Sequence, residues 1–163
     1  MFQKLNNIIK VDLSNFYSSE LVSTYLMFDQ CTSLTSIIFG NFSTSLVVEM
    51  DGMFLNCSSL TSLDLEHFNT KSLLSMRKMF YGCTSLESID LSSFDTSLVK
   101  RMESAFGDCL SLKTININNF STSSVINMTQ MFVNCYSLES LDLDCFKTSK
   151  VKNMTKMFII IDH

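Results

Sequence analysis

The stretch MFYGCTSLESIDLSSFDTSLVKRM, residues 79–102, decides the fold, because its pattern of apolar and polar positions recurs along the whole chain. A Met-Phe pair opens the stretch, a Cys and a run of Leu and Ile follow, and a second Phe and a Met close it. The same positions return every 26 residues, which predicts a solenoid whose coils each pack against their neighbours. The repeats cover residues 1–26, 27–52, 53–78, 79–104, 105–130 and 131–156, with a partial repeat at 157–163.

Each repeat divides into two halves with different periods. Within SLESIDLSSF, residues 85–94, apolar Ile89 and Leu91 flank Asp90, which predicts a short strand. The following half carries apolar residues at helical spacing, and Thr122 or Ser123 is a suitable N-cap in the fifth repeat. We therefore predict one domain over residues 1–163, an α/β solenoid of about six coils in which each coil contributes one short parallel strand and one short helix. Because helices are wider than strands, we expect the stack to curve with its sheet on the concave side.

The register cysteines are predicted to be core residues, because they share the apolar face with the Met and Phe columns. Parallel side chains on successive coils hold their Cβ atoms about 5 Å apart, which is longer than a disulfide prefers. The sequence therefore predicts reduced thiols. These cysteines are Cys31, Cys57, Cys83, Cys109 and Cys135.

Composition excludes several classes of protein. Hydrophobic residues make up 46% of the chain and charged residues 17%, so a disordered chain is excluded. The net charge of −4 argues against nucleic acid as a partner. No secretory signal opens the chain, and its apolar runs are too short to cross a membrane, so we expect no membrane insertion of this segment.

The motif MFxxCxSLxxLDLxxFxTSxVxxM, which residues 79–102 and 131–154 match almost position for position, resembles the repeat of the BspA-like leucine-rich-repeat surface proteins. The resemblance covers essentially the whole chain and is weakest in the first repeat, which lacks the Cys and the closing Met. It implies a surface-exposed or secreted protein, in some members an adhesin that binds matrix proteins or other cells. A resemblance at the level of the fold assigns no site residue.

The predicted strands present polar side chains on the face opposite the core. This mildly acidic face is the candidate site for a protein partner with a basic surface, for example an extracellular-matrix or cell-surface protein. Two alternatives remain open, a Ca²⁺ site built from the same oxygens and a face that is only solvated. Ile38 and Gly40 interrupt the polar columns in the second repeat. The candidate residues are Asp12, Asp64, Glu66, Asp90, Asn116, Asn118, Asp142 and Asp144.

Catalytic alternatives are weak. Cys145 occupies a turn position and is expected to be an exposed thiol, but His67 lies three repeats away from it and His163 ends the chain. No pair of these residues reaches hydrogen-bond distance in the predicted stack, so a Cys–His nucleophile is rejected. We expect no enzyme, no metal and no cofactor, and an enzyme using Cys145 or the Asp column is the least favoured hypothesis.

The sequence therefore predicts a non-catalytic binding or adhesion module, with an intracellular protein-interaction scaffold as the alternative. Neither terminus carries the polar cap that a solenoid needs. We accordingly expect further repeats of the same chain at one or both ends, in a longer parent array.

Overall fold

A computed structural model describes residues 1–160 of the chain. Four short strands form in the order β1 (Lys10–Asp12), β2 (Ser36–Ile38), β3 (Ser88–Asp90) and β4 (Thr114–Asn116). They pair in parallel as two two-stranded sheets, β1 with β2 and β3 with β4. Each residue of β1 and β3 pairs with the residue 26 positions later, as in Ile89 with Ile115. Every repeat is therefore one coil of a solenoid.

Strand β3 lies where the sequence alternates between apolar and polar side chains. Ile89 and Leu91 are buried while Asp90 between them is exposed, which is the pattern of a sheet with one solvated face. The third and sixth coils contain no strand, so the expected strand is present in four of the six coils. The two gaps in the sheet are a feature that the repeat pattern did not predict.

The prediction of a helix in each coil, with a cap at Thr122 or Ser123, is wrong, because none of residues 1–160 forms a helix. Consecutive tight turns replace it, in which the N–H of Cys31 donates to the Phe28 carbonyl at 3.1 Å. The intervening N–H of Gln30 donates instead to Leu55 of the next coil at 2.7 Å. A helix would use every N–H within its own segment, whereas here alternate N–H groups join neighbouring coils.

Left-handed residues make this arrangement possible. Leu26 has φ of 51° and Gln30 has φ of 59°, and later coils repeat both positions. One such residue ends a helix, so two of them four positions apart exclude it. A chain of four-residue turns, each closed by an N–H that donates to the carbonyl three residues earlier, still directs the predicted apolar positions inward, which explains why the spacing looked helical.

A second ladder joins the coils at the end of each repeat. It consists of single parallel bridges, and the N–H of each preceding residue, such as Leu74, donates to the coil before it at about 2.8 Å. We call the strand pairing the first ladder. The second ladder continues through coil 3, where the first ladder has no strand. Its pairs are Ser23 with Glu49, Glu49 with Ser75, Ser75 with Arg101, Arg101 with Asn127 and Asn127 with Asn153.

Stacked rings fill the core between the two ladders. Phe80 is fully buried, with its ring centroid 5.5 Å from that of Phe54 and 5.4 Å from that of Phe106. Both pairs are nearly parallel, within the range in which offset aromatic rings attract each other. The same column extends from Phe2 to Phe158, so a continuous ring stack runs along the solenoid.

Within residues 1–160 no helix has the length and apolar character that a membrane crossing requires.

Candidate protein-binding surface

In five of the six coils, the Asp or Asn at the position of Asp90 forms a turn with the residue two positions later. In Asp90, one carboxylate oxygen accepts the backbone N–H of Ser92 at 2.8 Å, which is an Asx turn. The bond leaves the second oxygen for other partners and holds the side chain in one direction. The same turn occurs at Asp12 with Ser14, Asp64 with Glu66, Asn116 with Asn118, and Asp142 with Asp144.

The structure places all eight candidate residues along this side of the solenoid. Seven are exposed and Asn116 is partly buried. Parallel register sets Asp90 beside Asn116, while Asp12 pairs with Ile38 of the second coil. The polar columns predicted from the sequence are thus present and solvent-facing, and we call these eight residues the sheet face.

Neighbouring hydroxyls keep two of these carboxylates ionised. The Ser92 side chain and backbone, which both donate to Asp90, lower the pKa of that carboxyl below its ordinary value of 3.8. Ser14 lowers the pKa of Asp12 in the same way, and the charge of Lys10 adds to the effect. Both groups therefore carry negative charge at neutral pH, so the sheet face is anionic.

The second coil ends its strand by a different device. Ile38 cannot form an Asx turn, and Gly40 two residues later adopts φ of 53°. A Cβ atom on Gly40 would lie 2.5 Å from the Cα of Ser14, so only glycine fits against the first coil there. The interruption noted in the sequence is therefore a change of turn chemistry as well as a loss of charge.

Two adjoining grooves open on the sheet face. A cavity of about 540 Å³ lies between coils 2 and 3 and includes Phe39, Asp64 and His67 in its lining. A smaller one of about 300 Å³ lies between coils 3 and 4, with Asp64 and Asp90 in its walls. The sequence analysis did not assign Phe39 or His67 to this face. Phe39 is nevertheless unusual, because the five other repeats hold Leu or Ile at its position.

The register cysteines are core residues, as predicted. Cys83 is fully buried and its thiol lies 3.2 Å from the Phe54 carbonyl of the preceding coil, to which it donates. Burial raises the pKa of Cys83 and of Cys135 to about 12, so both stay protonated at neutral pH. All six cysteines of the chain are free.

Cys145 is not the exposed thiol that the sequence suggested. It is partly buried against the core and donates to the Ile117 carbonyl at 3.4 Å. Burial also raises its pKa, which lowers its reactivity. His67 lies in coil 3 and Cys145 in coil 6, and His163 lies outside the described residues.

No three His, Cys, Asp or Glu side chains among the described residues converge on a position that could hold a metal ion. Neighbouring carboxylates of the sheet face each turn one oxygen towards their own backbone, so they do not form a shared oxygen cage.

An ionic cluster that sequence reasoning missed lies next to the second ladder. Arg77 lies between Asp51 and Glu103, with nitrogen–oxygen distances of 3.8 and 3.7 Å, and Arg101 contacts Glu103 at 3.1 Å. Asp51 is buried, and burial raises its pKa although Ser75 and Arg77 oppose the shift. Asp51, Arg77 and Glu103 lie 26 residues apart and alternate in charge, so the sequence contained a signal for this cluster. The cluster joins coils 2 to 4 and makes no groove with the sheet face.

The family model described as "Mycoplasma protein of unknown function, DUF285" matches residues 1–113 and again residues 85–161. No curated protein matches the chain significantly.

Three solved structures are similar in fold. A leucine-rich repeat protein from Eubacterium ventriosum aligns with a TM-score of 0.52 at 15% identity, over 93% of this chain and 42% of that protein. The T. pallidum leucine-rich repeat protein aligns with a TM-score of 0.43 at 19% identity, over 85% of this chain and 69% of its own. A leucine-rich repeat protein from Bacteroides ovatus gives a TM-score of 0.42 at 20% identity, over 90% and 45%.

The similarity to the Eubacterium ventriosum protein confirms the leucine-rich-repeat solenoid, and the chain spans less than half of that protein's length. The family match extends over nearly all of the sequence, and its repeats are of the kind that the motif in residues 79–102 resembles. The chain therefore belongs to the DUF285 family, a BspA-like family of leucine-rich-repeat proteins.

Proposed function

We propose that this chain is a non-catalytic protein-binding module that holds a partner with a basic surface on its sheet face. The observation that carries the proposal is the row of Asx turns, in which each Asp points one oxygen at the backbone N–H two residues later and leaves its second oxygen for other partners. Side chains that are already ordered lose little entropy on binding, which favours recognition by many small contacts.

Electrostatics supports a cationic partner. The chain carries a net charge of −4, and Asp12 and Asp90 lose their protons more readily than ordinary carboxyls do. Charge of one sign on a binding face speeds encounter with an oppositely charged surface and suppresses other partners. Affinity that arises in this way should fall as ionic strength rises.

We further propose that the parent protein is exposed at the cell surface or secreted, and that the module acts there in adhesion. The BspA-like character of the repeats supports this location. The leucine-rich-repeat fold supports a role in protein interaction.

The test replaces charge without disturbing the turns. The double variant Asp64→Asn with Asp90→Asn keeps an acceptor oxygen at both positions, as Asn116 does in coil 5. Its matched control is Glu20→Gln with Asp95→Asn, where Asp95 forms the same turn with Ser97 outside the sheet face. Purified matrix proteins and cell-surface extracts are passed over each immobilised protein, and captured partners are identified and their affinities measured.

We expect the sheet-face variant to lose most of the captured partner and the control variant to retain it. Equal binding by both variants would remove the sheet face from the mechanism. If wild-type protein captures a partner whose affinity does not depend on salt, the electrostatic part of the proposal fails.

A further inference from the structure

The first ladder has no paired strands at three junctions, those of coils 2 and 3, 3 and 4, and 5 and 6, and the junction of coils 2 and 3 is the most open of them. Among residues 1–160, no backbone hydrogen bond joins residues 35–41 of coil 2 to residues 61–67 of coil 3. Corresponding bonds exist at other junctions, such as Leu13 to Ile38 at 2.7 Å and Leu91 to Asn116 at 2.9 Å. Coil 3 therefore keeps its sheet-side backbone groups free towards coil 2.

The rest of the same junction is closed. The N–H of Gln30 donates to Leu55 at 2.7 Å, and the N–H of Leu74 donates to Val48 at 2.8 Å. Coils 2 and 3 are thus held together on their other edges and separate only on the sheet face.

The side chain of Phe39 lies at the opening. Its ring is 4.8 Å from that of Phe68 in coil 3, edge to face, and 6.3 Å from that of Phe54. It also contacts the rings of Phe28 and Phe42 in its own coil, at 6.5 and 5.7 Å. The other five coils carry Leu or Ile at this position, so an aromatic ring here is particular to coil 2.

The resulting cavity combines an apolar floor with one charged wall. Ile38 is 38% exposed although its neighbours are core residues, and Phe39 lies beneath it. Asp64 forms the wall shared with the smaller groove, and its Oδ1 is occupied by the Glu66 N–H at 3.1 Å. Its Oδ2 has no hydrogen-bond partner among the described residues, and no lysine or arginine lines either cavity.

We propose that this cavity, bounded by Ile38, Phe39, Gly40, Asp64 and His67 and called the coil 2–3 groove, receives one lysine or arginine side chain of the protein partner. The proposal rests on the proposed function and names where on the sheet face the partner is anchored. The methylene stem of the guest packs on Ile38 and Phe39, and its cationic head reaches Asp64.

Charge complementarity selects this occupant over others. An acidic side chain would meet Asp64, with Glu66 and Asp90 in the adjoining groove, and would be repelled. A purely apolar side chain would leave the Asp64 carboxylate partly desolvated and without a partner. A long basic side chain satisfies the apolar floor and the charged wall at once, and aromatic faces beneath it add attraction for a cation.

The test uses single amino-acid probes, which separates the groove from any whole partner. Nα-acetyl-lysine methylamide and Nα-acetyl-arginine methylamide are titrated into isotope-labelled protein, and backbone and Phe ring NMR signals are followed. The matched probes are the norleucine analogue, which lacks the charge, and the glutamate analogue, which reverses it. We expect saturable shifts at residues 38–42 and 64–68 with both cationic probes only.

Two variants keep the proposal falsifiable. Asp64→Asn preserves the Asx turn and should weaken the binding of the lysine probe by roughly two- to fivefold, the range of a solvent-accessible ion pair. Phe39→Leu removes the aromatic part of the floor and should weaken the binding of both cationic probes. The control Asp95→Asn makes the same charge change at an Asx turn outside the sheet face and should leave binding unchanged.

Equal binding of the norleucine probe, an equal effect of Asp95→Asn, or no saturable shift in the groove would each overturn the proposal. Failure of the proposed function has a different signature. If the lysine probe occupies the groove but the sheet-face variants bind whole partners normally, the groove stands and the partner-binding function of the face does not.

Discussion

Thr96 and Ser121 of the next coil form two hydrogen bonds with a single hydroxyl. The Thr96 hydroxyl donates to the Ser121 carbonyl at 3.0 Å and accepts the Ser121 backbone N–H at 2.8 Å. One buried side chain thus satisfies both backbone groups of a residue 25 positions later. The same pair of bonds joins Thr44 to Asn69, Thr70 to Asp95, and Thr122 to Lys147.

Thr96→Val should therefore destabilise the solenoid by about 2 kcal/mol, because it keeps the shape of the side chain and leaves both Ser121 backbone groups without a partner. Urea unfolding followed by circular dichroism measures the change. Thr61→Val is the matched control, since Thr61 is exposed, and should change stability by less than about 0.5 kcal/mol. Equal effects of the two variants would show that the Thr96 bonds add nothing to stability.

Phe80→Ala should cost about 3 to 5 kcal/mol, because the ring is fully buried between two stacked neighbours and its removal leaves a cavity. Phe158→Ala removes a ring of the same column that is 55% exposed and, among the described residues, stacks on Phe132 alone. We expect that control to cost about 1 kcal/mol or less. Chemical denaturation of both variants tests the difference, and equal losses would contradict a stack whose stability comes from burial.

Alkaline pH should destabilise the fold through its buried thiols. The pKa of Cys83 is about 12 in the folded chain and its ordinary value is 9.0, so only the unfolded state loses the proton between these values. Stability is complete below pH 9.0 and falls as pH rises towards 12, by about 1.4 kcal/mol per pH unit for this thiol.

Urea midpoints measured between pH 8 and pH 11 test this dependence, which should be less steep in the variant Cys83→Ala. The matched control Ser85→Ala alters the same coil without removing a thiol and should keep the wild-type slope. A Cys83→Ala slope identical to that of the wild-type protein would show that this thiol does not carry the pH dependence.

Ser92→Ala should raise the pKa of Asp90 towards 3.8, since the Ser92 hydroxyl is the largest of the interactions that lower it. NMR titration of the carboxyl carbons measures the change. Asp12, whose partner is Ser14, serves as an internal control and should keep its lowered pKa. An unchanged Asp90 pKa would assign the shift to the Ser92 backbone N–H and the Asn116 side chain.

The free energy of unfolding should also depend on Asp90 at acid pH. It should decrease as pH falls, whereas the thiols make it decrease as pH rises. The pKa of Asp90 is lowered in the folded chain, so its contribution is present above pH 3.8 and is lost as pH falls through the folded value. In Asp90→Asn the Asx turn remains and this acid dependence should disappear. Acid unfolding of the two proteins provides the comparison.

Much of this architecture could be predicted from residues 79–102 alone. A column such as Cys83 or Phe80 is apolar in nearly every repeat, and stacked repeats must bury what is apolar in all of them. Asp90 was predicted to be exposed because it alternates with Ile89 and Leu91, and the structure confirms it. Position within a repeat is a local property, so the sequence could reveal it.

The helix was predicted wrongly because the spacing of apolar residues indicates only which side chains face inward. It does not indicate which carbonyl group accepts the hydrogen bond of each backbone N–H. The N–H of Gln30 donates to the Leu55 carbonyl, which lies in another coil and comes near only when the chain folds. The groove escaped prediction for the same reason. Phe39 is one apolar residue in an apolar column, and its size matters only against the rings of coil 3.

The sequence by itself determined the repeat period, the buried columns and the acidic strand column, because each depends on the chemistry of single side chains repeated at a constant interval. Tertiary structure alone decided which backbone groups pair between coils, where the first ladder opens and what the opening exposes. Those outcomes depend on how neighbouring coils fill a shared core, in which the Phe39 ring packs against the Phe68 ring of the next coil.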